Sequence, residues 1–243
     1  MKSLRQITTN FIRENFKYKS LETFLRESYK NKKDFFFIQI GAHDGISHDF
    51  IFNFLTQKNV FGLAIEPISD YFEKLKGNYS TFKDLKLLNI AIHDSQEEIK
   101  IYRIAKEYEL EVPDWAIGSA SIFKEHLIDK LKIPEKYIKC DAVKAMTFEK
   151  LIANHYKFNK IDLLQIDTEG YDFEILKKID FKKVKPKIVK IEVSHLNESD
   201  FINAKKLLSD NSYLVLLEHS DIVAYQIPKI INIFVKLYKK AMF

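Results

Sequence analysis

With 243 residues, 46% of them hydrophobic and 14% aromatic, the chain falls in the globular class and can fill one large α/β domain rather than two. No stretch approaches the roughly 20 consecutive apolar residues of a membrane-spanning helix. A net charge of +5, with the lysines spread along the chain, argues against a nucleic-acid partner, which calls for a denser basic face with aromatic platforms.

Residues 1–33 set Leu4, Ile7, Phe11, Ile12, Phe16, Leu21, Phe24, Leu25 and Tyr29 among Lys, Arg and Glu. This spacing predicts a helical extension of two amphipathic helices that caps the core, with a lid or a dimer contact as its functional alternative. The N-terminus lacks a secretion signal, and the sole cysteine, Cys140, has no internal partner. Both features lead us to expect a reducing cytoplasm.

The run from Phe35 to Ile40 is continuously apolar apart from Gln39, as in a parallel strand covered on both faces. It breaks into Gly41-Ala42-His43-Asp44-Gly45, where two glycines permit a tight turn and the close approach of a ligand. A helix is expected over Ile46–Leu55, its first turn aiming N–H groups over the glycines. The next strand, Val60–Ile65, ends at Glu66-Pro67, where a doubly wound nucleotide fold places the carboxylate that binds ribose hydroxyls. The expected ligand is of the adenosine type.

Ser69-Asp70 begins a helix that stops near Gly77-Asn78. A third strand, Leu85–Ile92, brings Asn89 and Ala91 to the ligand crevice, while His93 reads as a surface residue at the strand end. Glu98–Tyr102 alternates as an added strand or hairpin. From Lys106 to Ala145 the pattern loosens into a long insertion of the kind that forms binding loops, and Trp115 within it is a candidate for stacking on a sugar or for loop packing. Thr147 caps a helix carrying Phe148, Leu151, Ile152 and His155. A fourth strand over 161–166 runs into Asp167-Thr168-Glu169-Gly170 and then a helix. A fifth, over 187–191, ends at Glu192, with His195 three residues on. A helix over 200–209 and two closing strands, 213–217 and 222–226, complete seven strands. The tail over 229–243 is basic and amphipathic, suited to a membrane surface, to the sheet, or to another subunit.

Five segments together carry a family resemblance: Gln39–Gly45, Ala64–Pro67, Asn89–Ile92, Gly118–Ser121, and Ile161–Asp172 followed by Ile191-Glu192. They resemble the FkbM family of S-adenosylmethionine-dependent methyltransferases, and Asp167-Thr168-Glu169-Gly170 is the most specific block. The resemblance implies a Rossmann-like class I methyltransferase with a mostly parallel seven-stranded sheet and helices on both faces, spanning 34–228. It also implies S-adenosylmethionine as cofactor, held by Gly41, Ala42, His43, Asp44, Gly45, Glu66, Pro67, Asn89, Ala91, Ser119 and Asp167. Two positions depart from the pattern: Gln39 stands where many such enzymes carry an acid, and His43 where the family more often has Asn.

Topology brings Asp167, Glu169 and Glu192 into one crevice, an arrangement that calls for a cation, a ligand or a proton. For removal of a hydroxyl proton the candidates are Asp167, His195 and Glu192, the first two preferred. Glu169, Trp115 and Glu192 are candidates for the acceptor, a sugar, glycan or related small polyhydroxylated molecule by resemblance. Glu169 and Asp172 have a structural alternative as helix-start residues. No ligand spacing is diagnostic of a metal, although carboxylates and a histidine suit Mg²⁺. Two other functions fit less of the chain: an NAD-dependent oxidoreductase, which the incomplete Gly-x-Gly-x-x-Gly spacing opposes, and a binding module without chemistry.

Overall fold

The computed structural model describes residues 20–47 and 49–228, with the backbone alone at 114 and 115. Most of the N-terminal extension and the tail over 229–243 lie outside the described residues, as do the uses expected of them. The one helix of the extension that is described, α1 (Leu21–Ser28), starts on Ser20, whose side chain accepts from the Thr23 amide, as an N-cap should.

Seven strands build the main sheet: β1 (Asp34–Ile40), β2 (Asn59–Ile65), β3 (Asp84–Leu88), β8 (Leu163–Ile166), β9 (Ile188–Glu192), β10 (Tyr213–Glu218) and β11 (Asp221–Gln226). Their order is β10-β11-β9-β8-β1-β2-β3. All neighbours are parallel except at β11, which runs antiparallel to both β9 and β10. The closing hairpin β10–β11 thus forms the antiparallel edge of the sheet, with β11 between β9 and the edge strand β10. Strand order reverses between β1 and β8, and the crevice beyond their carboxyl ends is where ligands bind in such sheets.

The continuous apolar run of β1 serves both faces. Ile38 and Ile40 pack on one side with Leu63, Ile65, Leu164, Ile166, Val189 and Ile191. Phe35 and Phe37 pack on the other with α1 and with α2 (Ile51–Leu55). At the β1–β2 step, Phe37 pairs with Gly62, and a Cβ on Gly62 would lie 1.8 Å from the Phe37 carbonyl oxygen. Buried Asp162 ties the bottom of the sheet together, accepting from the Phe36 amide, the Tyr29 hydroxyl and the Lys187 ammonium at 3.0, 3.0 and 2.6 Å.

Three expected boundaries are corrected. The helix after the glycine loop begins at Ile51, not Ile46, because Asp44 takes the Ile46 and Ser47 amides into a turn and Asp49 takes the Ile51 amide. Ile46 is left exposed. The third strand is broken at Asn89, whose side-chain amide donates to the Glu66 and Pro67 carbonyls at 2.9 and 3.0 Å.

The third correction concerns the residues beyond that break, which join a second sheet. It consists of β4 (Ala91–Ile92), β5 (Glu98–Ile104), β6 (Ala120–Ser121) and β7 (Ile138–Met146), in the order β4-β7-β5-β6. The insertion expected to be irregular therefore ends in a nine-residue strand antiparallel to β5. Arg103 of β5 is buried and clamps this sheet to helix α3 (Ser69–Asn78), reaching Asp141 and Asp70 at 2.6 Å each. Ile99 and Ile101 of β5 face the crevice.

Candidate active site

The crevice at the switch point is a cavity of about 360 Å³, within the size range of small-molecule and cofactor sites. Gly41, Ala42, His43, Glu66, Pro67, Ala91, Asp167, Glu169 and Glu192, all picked out in the sequence, line it. The glycine freedom, however, is used by the protein itself. A Cβ on Gly41, at φ +79°, would sit 1.7 Å from the Asp167 carbonyl oxygen, and one on Gly45 would strike Tyr79 and Leu75.

Other expected cofactor residues support the wall from behind. Asp44 turns inward on Ser47 and Ile46, and although burial opposes it, the Ser47 hydroxyl and these amides hold its carboxyl down at about 2. Asn89 holds the backbone beyond Glu66, and buried Ser119 donates its amide to Ala116 while Gly118 and Ala120 face the cavity. The side chain of Trp115 lies outside the described residues. His43 packs its ring on Tyr71, 4.0 Å between centroids, and gives its amide to Glu66 at 2.8 Å.

Glu66 is fully buried and accepts from the Ile68 amide as well. Burial pushes its carboxyl up to about 7 against the pull of those amides and of Arg103. At the far end of the cavity lies a polar group that sequence reasoning missed. Asp49 accepts from Gln39 and Gln165 at 2.7 and 2.9 Å. Beside it, the half-buried Lys190 ammonium sits 3.0 Å from Asp221. Asp49 supplies a carboxylate next to the position where Gln39 departs from the usual acid.

Beyond Asp167 the chain turns sharply, with Glu169 at φ +54° and Gly170 at φ +109°. Asp172, at the start of α4 (Asp172–Lys177), secures this turn by accepting from the Thr168 and Gly170 amides, each at 3.1 Å. It fills the helix-start role, leaving the Glu169 carboxylate to reach His195 Nε2 at 3.0 Å. Glu192 Oε1 lies 3.3 Å from the same nitrogen. Burial opposes the His195 proton, but the two carboxylates outweigh it and raise the imidazolium to about 10. The two carboxylates thus favour the protonated ring, which acts toward them as a donor.

Burial first, then Glu192 and Asp172, push the Asp167 carboxyl well above its ordinary value, which favours its neutral form over the expected base. Burial also works against ionised Glu192, but its hydrogen bonds to His195 and Ser194 prevail and hold it low. Glu192 is thus the carboxylate of this group whose ionised form is favoured, and its Oε2 is buried and without a hydrogen-bond partner. Behind this group a second cavity of about 580 Å³ opens, lined by His195, His126, Phe123, Asn197 and Asp200. Tyr171 borders both cavities.

The arrangement fits an adenosyl cofactor. Buried Gln165 Oε1, Thr168 Oγ1 and Glu192 Oε2 lack partners, and all three residues line the first cavity. One end of that cavity is apolar, formed by Pro67, Ile68, Ala91, Ile99 and Ile101; the other carries Asp49, Lys190 and Asp221.

A seven-stranded sheet with β11 reversed between β9 and β10, its crevice at the β1/β8 switch, defines the class I methyltransferase fold. The Methyltransferase FkbM domain matches residues 39–218, most of the chain, and the protein belongs to that family. Membership implies S-adenosylmethionine as the methyl donor and sets aside the nicotinamide alternative. No curated protein sequence matches the chain.

Among solved structures, methyltransferase FkbM from Methylobacillus flagellatus KT is similar at 14% identity and a TM-score of 0.50, covering 79% of this chain and 44% of that one. Precorrin-6y C5,15-methyltransferase from Geobacter metallireducens GS-15 is similar at 12% identity and a TM-score of 0.42, covering 85% and 88%. The Methanococcus jannaschii fibrillarin pre-rRNA processing protein is similar at 12% identity and a TM-score of 0.42, covering 79% and 66%. This chain thus spans less than half the length of the Methylobacillus protein. Among the described residues no helix is long and apolar enough to cross a membrane.

Proposed function

We propose that the protein is an O-methyltransferase that acts on a hydroxyl of a sugar, glycan or related small polyhydroxylated acceptor, in glycan or natural-product biosynthesis. The observation that carries this reading is the position of Glu169, Glu192 and His195 between the two cavities, where they offer acceptors and a donor to neighbouring hydroxyls.

When bound, S-adenosylmethionine supplies a methyl group on a positively charged sulfur. Glu66 would accept from the ribose hydroxyls with the lone pairs that the His43 and Ile68 amides leave open. Ile68, Ala91, Ile99 and Ile101 would cover the adenine, while Asp49 and Lys190 offer opposite charges to the amino-acid end. Glu192 Oε2 takes the proton from the acceptor hydroxyl while Oε1 stays fixed by Ser194 and His195. Alignment of the reactants and exclusion of water are the protein's main contributions to such a displacement.

Calorimetry with S-adenosylhomocysteine, with NAD as control, on wild type and Glu66→Ala tests the first cavity. Binding of the homocysteine compound alone, weakened in the variant, is expected. Methyl-labelled cofactor offered with nucleotide sugars, free glycans and non-sugar phenols then tests the second. Label on phenols with none on any sugar would overturn the acceptor assignment.

A further inference from the structure

We propose that His126, Glu169 and His195 form a binding site for a divalent first-row transition ion such as Zn²⁺, placed between the two cavities to hold the acceptor's hydroxyl. This rests on the reading of the second cavity as the acceptor site. One ring nitrogen from each histidine and one Glu169 carboxylate oxygen lie within 4.8 Å of one another. A tetrahedral ion with ligands at about 2.1 Å sets those ligands roughly 3.4 Å apart, so modest rotations of three side chains close the site. The Glu169–His195 pair, at 3.0 Å, is already at that spacing.

A second, independent observation points to a ligand. His126 is only 6% exposed, and its Nε2 is buried with no hydrogen-bond partner. Buried imidazole nitrogens normally find one. The ring stands edge-on to His195, 4.2 Å between centroids, so this nitrogen-bearing ring and the carboxylate-bound imidazole share one small volume.

The backbone on both sides departs from regular structure to achieve this. Glu169 adopts a left-handed conformation, which a non-glycine residue keeps only when its surroundings enforce it. His126 opens a five-residue π-helical turn, a rare form that concentrates at functional sites. Ligation through His195 Nε2 would displace the proton that this nitrogen shares with Glu169 and Glu192, 3.0 and 3.3 Å away, as metal binding to imidazole requires.

The donor set selects the ion. Two imidazoles with one carboxylate suit zinc, iron(II), cobalt or nickel rather than Mg²⁺, which prefers oxygen alone. Three protein ligands leave a position open for water or a substrate oxygen, as at catalytic rather than structural zinc sites. Glu169 lines the cofactor cavity, and His126 and His195 line the other. A hydroxyl in that open position would therefore lie between them.

The test is a titration of the chelator-stripped, full-length chain with Co²⁺, read by visible absorption, with Zn²⁺ as competitor and S-adenosylhomocysteine calorimetry in parallel. One Co²⁺ per chain is expected, displaced by Zn²⁺. Affinity should fall in His126→Asn and in His195→Gln by more than the roughly 10–100-fold that losing an outer partner costs, with the homocysteine compound still bound. If either variant fails to fold, Glu169→Gln makes the same comparison. Absent or sub-stoichiometric Co²⁺ binding, or binding unchanged in the variants, overturns the site and leaves His195 as a proton bridge between two carboxylates. If the wild type binds Co²⁺ but no homocysteine compound, the methyltransferase reading fails and the ion site stands.

Discussion

The Cβ that Gly41 lacks would lie 1.7 Å from the carbonyl oxygen of Asp167, so the two loops that meet at the switch point touch through their backbones. The sequence separates them by well over a hundred residues, yet each sets the position of the other. Asp167 in turn gives its amide to the Ile40 carbonyl at 2.9 Å.

Gly41→Ala is accordingly expected to spread the loops and to strain a positive φ at once. An alanine where φ exceeds zero destabilises by more than about 1 kcal/mol even without a clash, and here backbone must also move. We expect a lower Tm together with S-adenosylhomocysteine affinity reduced by at least tenfold, on the order of 1.4 kcal/mol. Gly77→Ala, where a Cβ meets nothing within 4 Å, is the matched control. Equal Tm and affinity in the two variants would refute the loop contact.

Asp49→Asn should weaken cofactor binding and the loop together. Asp49 Oδ2 is the shared acceptor for Gln39 and Gln165, and an amide group there would face two donors with a third. Leaving buried polar groups unpaired costs about 1–3 kcal/mol. Chemical denaturation should find a loss in that range, and calorimetry a parallel loss of affinity for the homocysteine compound. An unchanged affinity would remove Asp49 from the proposed amino-acid end of the cavity.

Asp49 also shows where the sequence stops being informative. The main sheet was legible because β1, β2, β8 and β9 are largely buried on both faces and so carry apolar runs broken only by single polar residues such as Gln39, Gln165 and Lys190, while Glu66, Asp167 and Glu192 fall at their ends. Asp49 was hidden inside an expected helix, since Phe50, Ile51, Phe54 and Leu55 keep helical spacing whether the helix begins at 46 or 51. Strand β7 was hidden for the opposite reason. It lies on a second, half-exposed sheet, and its lysines, Cys140 and Asp141 interrupt the apolar pattern. His126 lay in the same loosely patterned stretch and met its partners Glu169 and His195 only in three dimensions.

Stability should fall as pH rises through the window set by Glu66. Its carboxyl stays protonated in the folded protein up to about 7, whereas the unfolded chain releases that proton near 4.5. Between these values the unfolded state binds fewer protons, so raising the pH favours unfolding, by roughly 3 kcal/mol for this group. Asp172, raised to about 7 chiefly by burial, acts in the same direction. Asp44, held at about 2, acts at the other end: its stabilisation is present above its ordinary pKa and is lost as pH falls toward 2. Thermal denaturation of ligand-free wild type and Glu66→Gln at pH 5 and pH 8 isolates the first effect. The wild type should lose ground to the variant at the higher pH, and a constant difference would show that Glu66 ionises normally in the fold.

Glu192→Gln separates chemistry from binding. The substitution keeps the size of the side chain and an oxygen for Ser194 or His195, but it removes the group that takes the acceptor's proton. Loss of a general base costs about 10²–10⁴ in rate, so kcat should fall by that factor while affinity for S-adenosylhomocysteine stays near that of wild type. Asp167→Asn should be milder, because burial and Glu192 already favour a neutral Asp167. Single-turnover methylation with both variants gives the ordering directly. If Asp167→Asn proves the more damaging while both bind the homocysteine compound normally, the proton passes to Asp167 and the assignment of Glu192 is wrong.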